Sequence, residues 1–220
     1  MPARRNTIAR CLPCLIFGTC LLAQAPALQQ QKERWNKVFS GSDVPFNRQP
    51  NAFLLKSVQG KTPGTTLEIG MGQGRNTLAM ARLGWDVTGI DISDEGIRQA
   101  VAEAKKQNLN IHAILASADD FDYGNSRYDL IYATFEHQIV TDNAVKIVAA
   151  LKPDGMVVIE GFQEDVSKAV GRPLGHRVNE LPRAFDQLRI VYYEDTVGPA
   201  DWNEGKPAPI VRFIARKQPK

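Results

Sequence analysis

Apolar and polar positions alternate in two rhythms along this chain. Short, nearly continuous apolar runs recur at TTLEI (65–69), DVTGID (86–91), IHAIL (111–115), YDLIYAT (128–134) and MVVIEGF (156–162). Runs of this length and character predict strands buried on both faces. The segments between them carry a helical period. RNTLAMARLG (75–84) predicts a helix closed by Gly84, and TDNAVKIVAAL (141–151) predicts one stopped before KPDG. SDEGIRQAVAEAKKQN (93–108) predicts a helix capped by Ser93, with Asp94 and Glu95 in its first turn. Its expected inner face is Ile97, Ala100, Val101 and Ala104, at i, i+3, i+4 and i+7. Strand and helix in regular alternation predict an α/β domain, a doubly wound parallel sheet with helices on both faces.

The rhythm changes at both ends. LRIVYYED (188–195) and APIVRFIAR (208–216) are separated only by TVGPADWNEGKP, too short for a helical crossover. These last two of seven strands are therefore expected to pair as an antiparallel hairpin. Upstream, LQQQKERWNKVFS (28–40) predicts a helix with Trp35, Val38 and Phe39 on one side. A loop, GSDVPFNRQPN, and a second short helix ending at Gly60 complete a helical cap over 28–60. A chain of 220 residues suits one domain over 28–220.

Residues 1–27 have another character. Arg4, Arg5 and Arg10 precede an apolar stretch, CLPCLIFGTCLLA, and then AQAPA. That order is the order of a secretory signal peptide, and cleavage after Ala27 is expected; a retained membrane anchor is the variant of this reading. Export or membrane association is thus the expected localisation, with a mis-assigned start codon and a cytoplasmic enzyme as the alternative. The three arginines account for the whole net charge of +3, and all three cysteines (Cys11, Cys14, Cys20) lie here. The body is therefore neutral and free of thiol or disulfide chemistry. A neutral body has no general attraction for nucleic acid, so a small-molecule partner is expected, on a monomer or homodimer.

The sharpest chemical signal is TTLEIGMGQGRN (65–76). Glycines at 70, 72 and 74 follow a strand and precede a helix, the place where open α/β sheets bind ligands. The dinucleotide fingerprint would need a third glycine or alanine where Arg75 stands, and no Gly-Lys-Ser/Thr follows for a P-loop. Glu68 beside the turn repels a pyrophosphate but suits a cation. A ligand carrying a sulfonium, an ammonium and a carboxylate fits this mixture.

With those residues the chain resembles the class I S-adenosylmethionine-dependent methyltransferases. LEIGMGQGRNTLAMARLGWDVTGIDIS resembles their first two motifs, YDLIYATFEH the fourth-strand motif, and ALKPDGMVVIE the approach to strand five. The closing hairpin is the hallmark of that Rossmann-like fold. The overall pattern is similar to the tellurite-resistance group of small-molecule methyltransferases. The resemblance implies S-adenosylmethionine as cofactor. It implies that Glu68, Gly70, Met71, Gly72, Gly74, Arg75 and Asn76 hold the methionine portion. Asp91, 21 residues beyond Gly70, would take both ribose hydroxyls, and Ile92 would lie against the adenine. Ser117, Ala118 and Asp119 follow strand three, where relatives often place an acid for the adenine amine; Ser117 and Asp119 both remain in play. Thr134 ends strand four at the same cleft.

The acceptor is expected over the ends of strands four and five. His137 in TFEHQ titrates near neutrality and is the candidate base or orienting residue. Trp35, Phe46, Asn51, Phe135 and Glu160 are the candidate substrate contacts; no metal site is expected. Thiols, oxyanions and other small nucleophiles are the expected acceptors. Two alternatives stand beside this reading. One is a non-catalytic S-adenosylmethionine-binding protein. The other is a nicotinamide-dependent oxidoreductase, disfavoured by the missing glycine and by the absence of a Tyr-x-x-x-Lys pair.

Overall fold

A computed structural model of the chain describes residues 19–41, 47–171, 174–201 and 205–219. Of the expected leader, residues 1–18 lie outside the described residues, as does Phe46. Helix α1 (Thr19–Ser40) runs without a break across Ala27 and Leu28. Among the described residues no helix is long and apolar enough to cross a membrane.

The elements follow in the order α2 (Ala52–Val58), β1 (Thr65–Ile69), α3 (Arg75–Arg82), β2 (Asp86–Asp91), α4 (Asp94–Lys106), β3 (His112–Leu115) and β4 (Tyr128–Thr134). Then come α5 (Gln138–Asp142), α6 (Ala144–Ala150), β5 (Leu151–Phe162), α7 (Asp165–Val170), α8 (Glu180–Ala184), β6 (Arg189–Pro199) and β7 (Pro207–Arg216). The seven strands form one sheet in the order β3-β2-β1-β4-β5-β7-β6. The first five pair in parallel, whereas β7 runs antiparallel to both β5 and β6. The strand order reverses between β1 and β4, which opens a crevice at their carboxyl ends.

Period-two alternation sends successive side chains to opposite faces of the sheet. Leu67, Ile69, Ile131 and Ala133 enter one apolar cluster with Ile147, Phe185 and Phe213. Leu130 and Tyr132 enter the other with Leu54, Met80 and Val87. Glu68 falls on this second face, beneath α3.

Three local expectations are corrected. Val101 is not on the buried face of α4 but 46% exposed; the buried stripe is Gly96, Ala100 and Ala104. The reason is the close approach of α4 to the glycine loop. A Cβ on Gly74 would lie 2.8 Å from the Ala100 Cβ, and one on Gly96 would lie 3.0 Å from the Gly72 carbonyl oxygen. Only small residues fit between them. The helix expected over 141–151 is interrupted at Asn143, and Leu151 already begins β5. Asn143 is buried, and its amide donates to Asp119 Oδ1 (2.7 Å) and to the Ile139 carbonyl (3.0 Å). Such side-chain bonds compete with continued helix. The KPDG turn lies inside β5, where the register with β4 slips between Tyr128↔Leu151 and Leu130↔Met156.

Candidate functional site

The glycine loop takes its shape from positive φ angles at Gly70 (73°) and Gly72 (50°), which side chains disfavour. The amides of Gly70 and Met71 both donate to the Ile90 carbonyl, fastening the loop to the end of β2. Asp91 closes the arrangement. Its Oδ2 accepts from the Gly72 amide and its Oδ1 from the Ser93 amide, each at 2.7 Å. Burial raises the Asp91 pKa, and these amide bonds oppose the rise.

Glu68 is almost fully buried beneath the loop. It accepts from Asn76 Nδ2 (3.0 Å), Thr77 Oγ1 and Tyr132 OH (3.2 Å). Burial pushes its pKa up to about 7 against those bonds. Asn76 also donates to Thr134 Oγ1 and accepts from the Asn51 amide, so the two strand ends and the N-terminal segment share one network.

A cleft of about 1770 Å³ opens over these residues. Trp35, Glu68, Met71, Arg75, Asn76 and Thr134 line it, together with Gly70 and Gly72. Ser117, Ala118 and Asp119 form its far edge, and Phe135 and His137 its opposite wall. A small inner cavity of about 80 Å³ adjoins it, bounded by Asp91, Ile92 and Ala118. Ser117 Oγ bonds with Asp120, and Asp119 accepts from Asn143, so both have partners in the protein. Ala118 is the member of the trio that borders both spaces.

Gly74 lies away from the cleft, beneath Ala100. Asn51 and Glu160 also lie behind the wall. Asn51 is fully buried; its Oδ1 caps α2 by accepting from the Leu54 amide, and its Nδ2 donates to Glu160 (3.2 Å) and Asp201 (3.0 Å). Glu160 is held by Arg212 Nε at 2.7 Å. Arg75, although at the cleft, pairs with Asp201 (2.8 Å) and donates to the Gln49 carbonyl.

α1 forms the roof. Asn36 Oδ1 accepts from Ser93 Oγ (2.6 Å), Lys32 pairs with Asp94 (3.4 Å), and the Phe39 carbonyl accepts from Gln99. A Cβ on Gly72 would lie 3.0 Å from the Phe39 ring. The aromatic ring thus rests on the bare turn.

One wall of the cleft is aromatic. Phe162 lies 5.0 Å from Phe135 and 5.2 Å from His137, and the His176 ring meets His137 edge-on at 5.4 Å. His176 is buried, which lowers its pKa, and its Nδ1 lies 3.6 Å from Glu180. Asn36 and Asp201 were not among the sequence candidates. Glu136 sat inside TFEHQ, but nothing local told that its carboxyl turns toward Gly70.

Residues 66–155 match the family model of the methyltransferase domain. Residues 66–155 therefore carry a methyltransferase domain. It is 37% identical over 146 residues to a probable S-adenosyl-L-methionine-dependent methyltransferase TehB of Haemophilus influenzae strain 10810, across 62% of this chain and 50% of that protein. Hemagglutinin 1 of Eikenella corrodens is 25% identical over 179 residues, across 74% of this chain and 58% of that one. The chain spans about half the length of the curated relatives it matches. The crystal structure of TehB from Haemophilus influenzae shares the fold with a TM-score of 0.63 at 19% identity, over 86% of this chain and 67% of that one. A structure solved for the conversion of a disulfide bond into a thioacetal group during echinomycin biosynthesis shares it at 0.66 and 20%, over 86% and 92%. The seven strands and the closing hairpin anticipated from the sequence are thus present, and the methyltransferase match implies S-adenosylmethionine as the cofactor.

Proposed function

We propose that this chain transfers a methyl group from S-adenosylmethionine to a small nucleophile, a thiol, an oxyanion or one of similar size. The observation that carries the reading is the bare, positive-φ glycine turn between Glu68 and Asp91, opening on the cleft. The residues fit that donor. Asp91 sits at the inner cavity with its two oxygens held by amides, and each keeps a lone pair for a ribose hydroxyl. Ile92 and Ala118 offer apolar surface beside it for the adenine. Gly70 and Gly72 let the backbone approach the methionine portion without a Cβ in the way. S-adenosylmethionine, when bound there, supplies an electrophilic methyl group.

The chain's own part is alignment and exclusion of water. Trp35 and Phe39 cover the turn, and the mutually tilted rings of Phe135 and Phe162 give an apolar wall for an acceptor. His137, on that wall, would take a proton from an acceptor that must lose one. Soft anions need no such help. The partly aromatic lining of the cleft and the charge-neutral body support a small-molecule acceptor over a nucleic acid.

The deciding experiment is calorimetric titration of the full chain with S-adenosylmethionine, with NADH as control. The donor is expected to bind at micromolar Kd and NADH not to bind. Asp91→Ala should weaken donor binding about 10- to 100-fold, the loss of bonds to a charged acceptor. Absent donor binding would end the proposal.

A further inference from the structure

The main cleft and the inner cavity share a boundary, and one residue on it is ionisable: Glu136. The other residues that border both spaces are Trp35, Phe39, Gly70, Gly72, Ile92, Ala118 and Ile139, none of which titrates. The position of Glu136 is built. Phe135 before it has a left-handed φ of 64°, and the Phe135 amide is tied to the Glu160 carbonyl at 2.7 Å. That bond turns the next side chain inward. A Cβ on Gly70 would collide with the Glu136 carboxyl, so the acid lies directly on the bare turn. Among the described hydrogen bonds and ion pairs, none is made by this carboxyl.

This inference rests on the proposed donor site. Asp91 with Ile92 marks the nucleoside end, and Glu68 with Asn76 the amino-acid end. The sulfur atom joins those two halves of the donor, and Glu136 stands where they meet. We propose that Glu136 is the residue by which this site distinguishes the cationic methyl donor from its neutral thioether product. During transfer the carbon–sulfur bond breaks with its electron pair left on sulfur, and the acceptor's lone pair makes the new bond. The positive charge at sulfur disappears. A carboxylate facing that point attracts the donor and gains nothing from the product, so product release is favoured.

The surroundings keep the carboxyl ready for this role. Burial disfavours its charged form most, and repulsion by Asp91 at the end of β2 and by Glu68 on β1 adds to it, raising its pKa to about 8. Asp119 and Asp120 face the cleft from the loop after β3. Of the cations lining the same cleft, Arg75 pairs with Asp201, Arg98 with Glu95, Lys106 with Glu103 and Arg177 with Glu180, Arg82 bonds Gln107, Arg34 lies over the Trp35 ring, and Arg48 is exposed on the loop before α2. His137 follows on the same loop. In the free protein near neutral pH, Glu136 therefore holds a proton, and a nearby cation drives that proton to solvent.

The test compares S-adenosylmethionine with S-adenosylhomocysteine by calorimetry, at pH 6.5 and pH 9, on wild type and Glu136→Gln. In wild type the preference for donor over product should rise with pH by about tenfold or more, the lower end of what an opposite charge at contact distance exerts. In Glu136→Gln the preference should be smaller and lose its pH dependence. Titration of the ligands' own amino groups is common to both proteins and cancels in the comparison. A second readout needs no variant. At pH 7.5, titrations in buffers of different ionisation enthalpy should show donor binding releasing most of a proton more than product binding does. Equal release for both ligands, or a preference unchanged in the variant, overturns the inference while leaving the proposed function intact. Wild type that binds neither ligand overturns both.

Discussion

At the scale of single residues the site is held by carboxyls in unlike settings. Asp91 is fixed by two amides, Glu68 by three side chains, and Glu136 by its loop alone. The consequences for pH can be given a sign. Glu68 and Glu136 have folded pKa values of about 7 and about 8, above the usual 4.5. The native protein keeps protons there that the unfolded chain has already released. Their contribution to stability is full below about pH 4.5 and is lost as pH rises through 7 and 8. Glu136→Gln removes one of these groups. Its melting temperature should fall less than that of wild type between pH 6 and pH 8.5, by at least about 2–4 °C, the shift expected per kcal/mol in a chain of this size. An equal fall in both would mean that Glu136 titrates normally. His137 makes a separate prediction. With an acceptor that must be deprotonated, His137→Asn should lower kcat about 100-fold or more and leave donor Kd unchanged, as loss of a general base does. With a thiolate acceptor the loss should be slight. A parallel fall in donor affinity would assign His137 to the donor site.

At the scale of elements the informative contact is α4 against the glycine loop. The approach is so close that Gly72, Gly74, Gly96 and Ala100 constrain one another. Ala100→Leu should therefore cost about 1–3 kcal/mol through overpacking and should weaken donor binding as well, because the loop must shift. Val101→Leu, one position on and exposed, should do neither; chemical denaturation of both variants separates the cases. The periodicity of α4 marked Ala100 and Ala104 as inward but could not choose between Val101 and Gly96 as their companion. Hydrophobicity favoured valine, whereas the space available favoured the residue with no side chain. The same limit explains Asn143. Its helical neighbours read as one continuous helix, and only Asp119, brought from 24 residues away, makes the interruption there worthwhile.

At the scale of the whole molecule one polar network joins distant parts of the chain. Arg75 at the head of α3 pairs with Asp201 of the terminal hairpin, Asn51 before α2 donates to both Asp201 and Glu160 of β5, and Arg212 of the hairpin pairs with Glu160. The N-terminal segment and the hairpin are thereby locked to the glycine loop. Arg212→Met should cost about 3–5 kcal/mol, because Glu160 is left buried with its charge uncompensated. Adding Glu160→Gln should restore much of that loss, and a denaturant series over the single and double variants would show whether it does. The amino-acid sequence by itself determined the seven strands, their parallel character up to the hairpin, the glycine turn and the acids flanking it. Those features depend on local period, turn chemistry and the short reach between neighbouring elements. Tertiary structure alone decided that Asn51 and Glu160 lie behind the wall of the cleft, that Glu136 lies on Gly70, and that His176 meets His137. Each of those contacts closes a long loop, and nothing in the local pattern of either partner encodes the direction in which the other arrives.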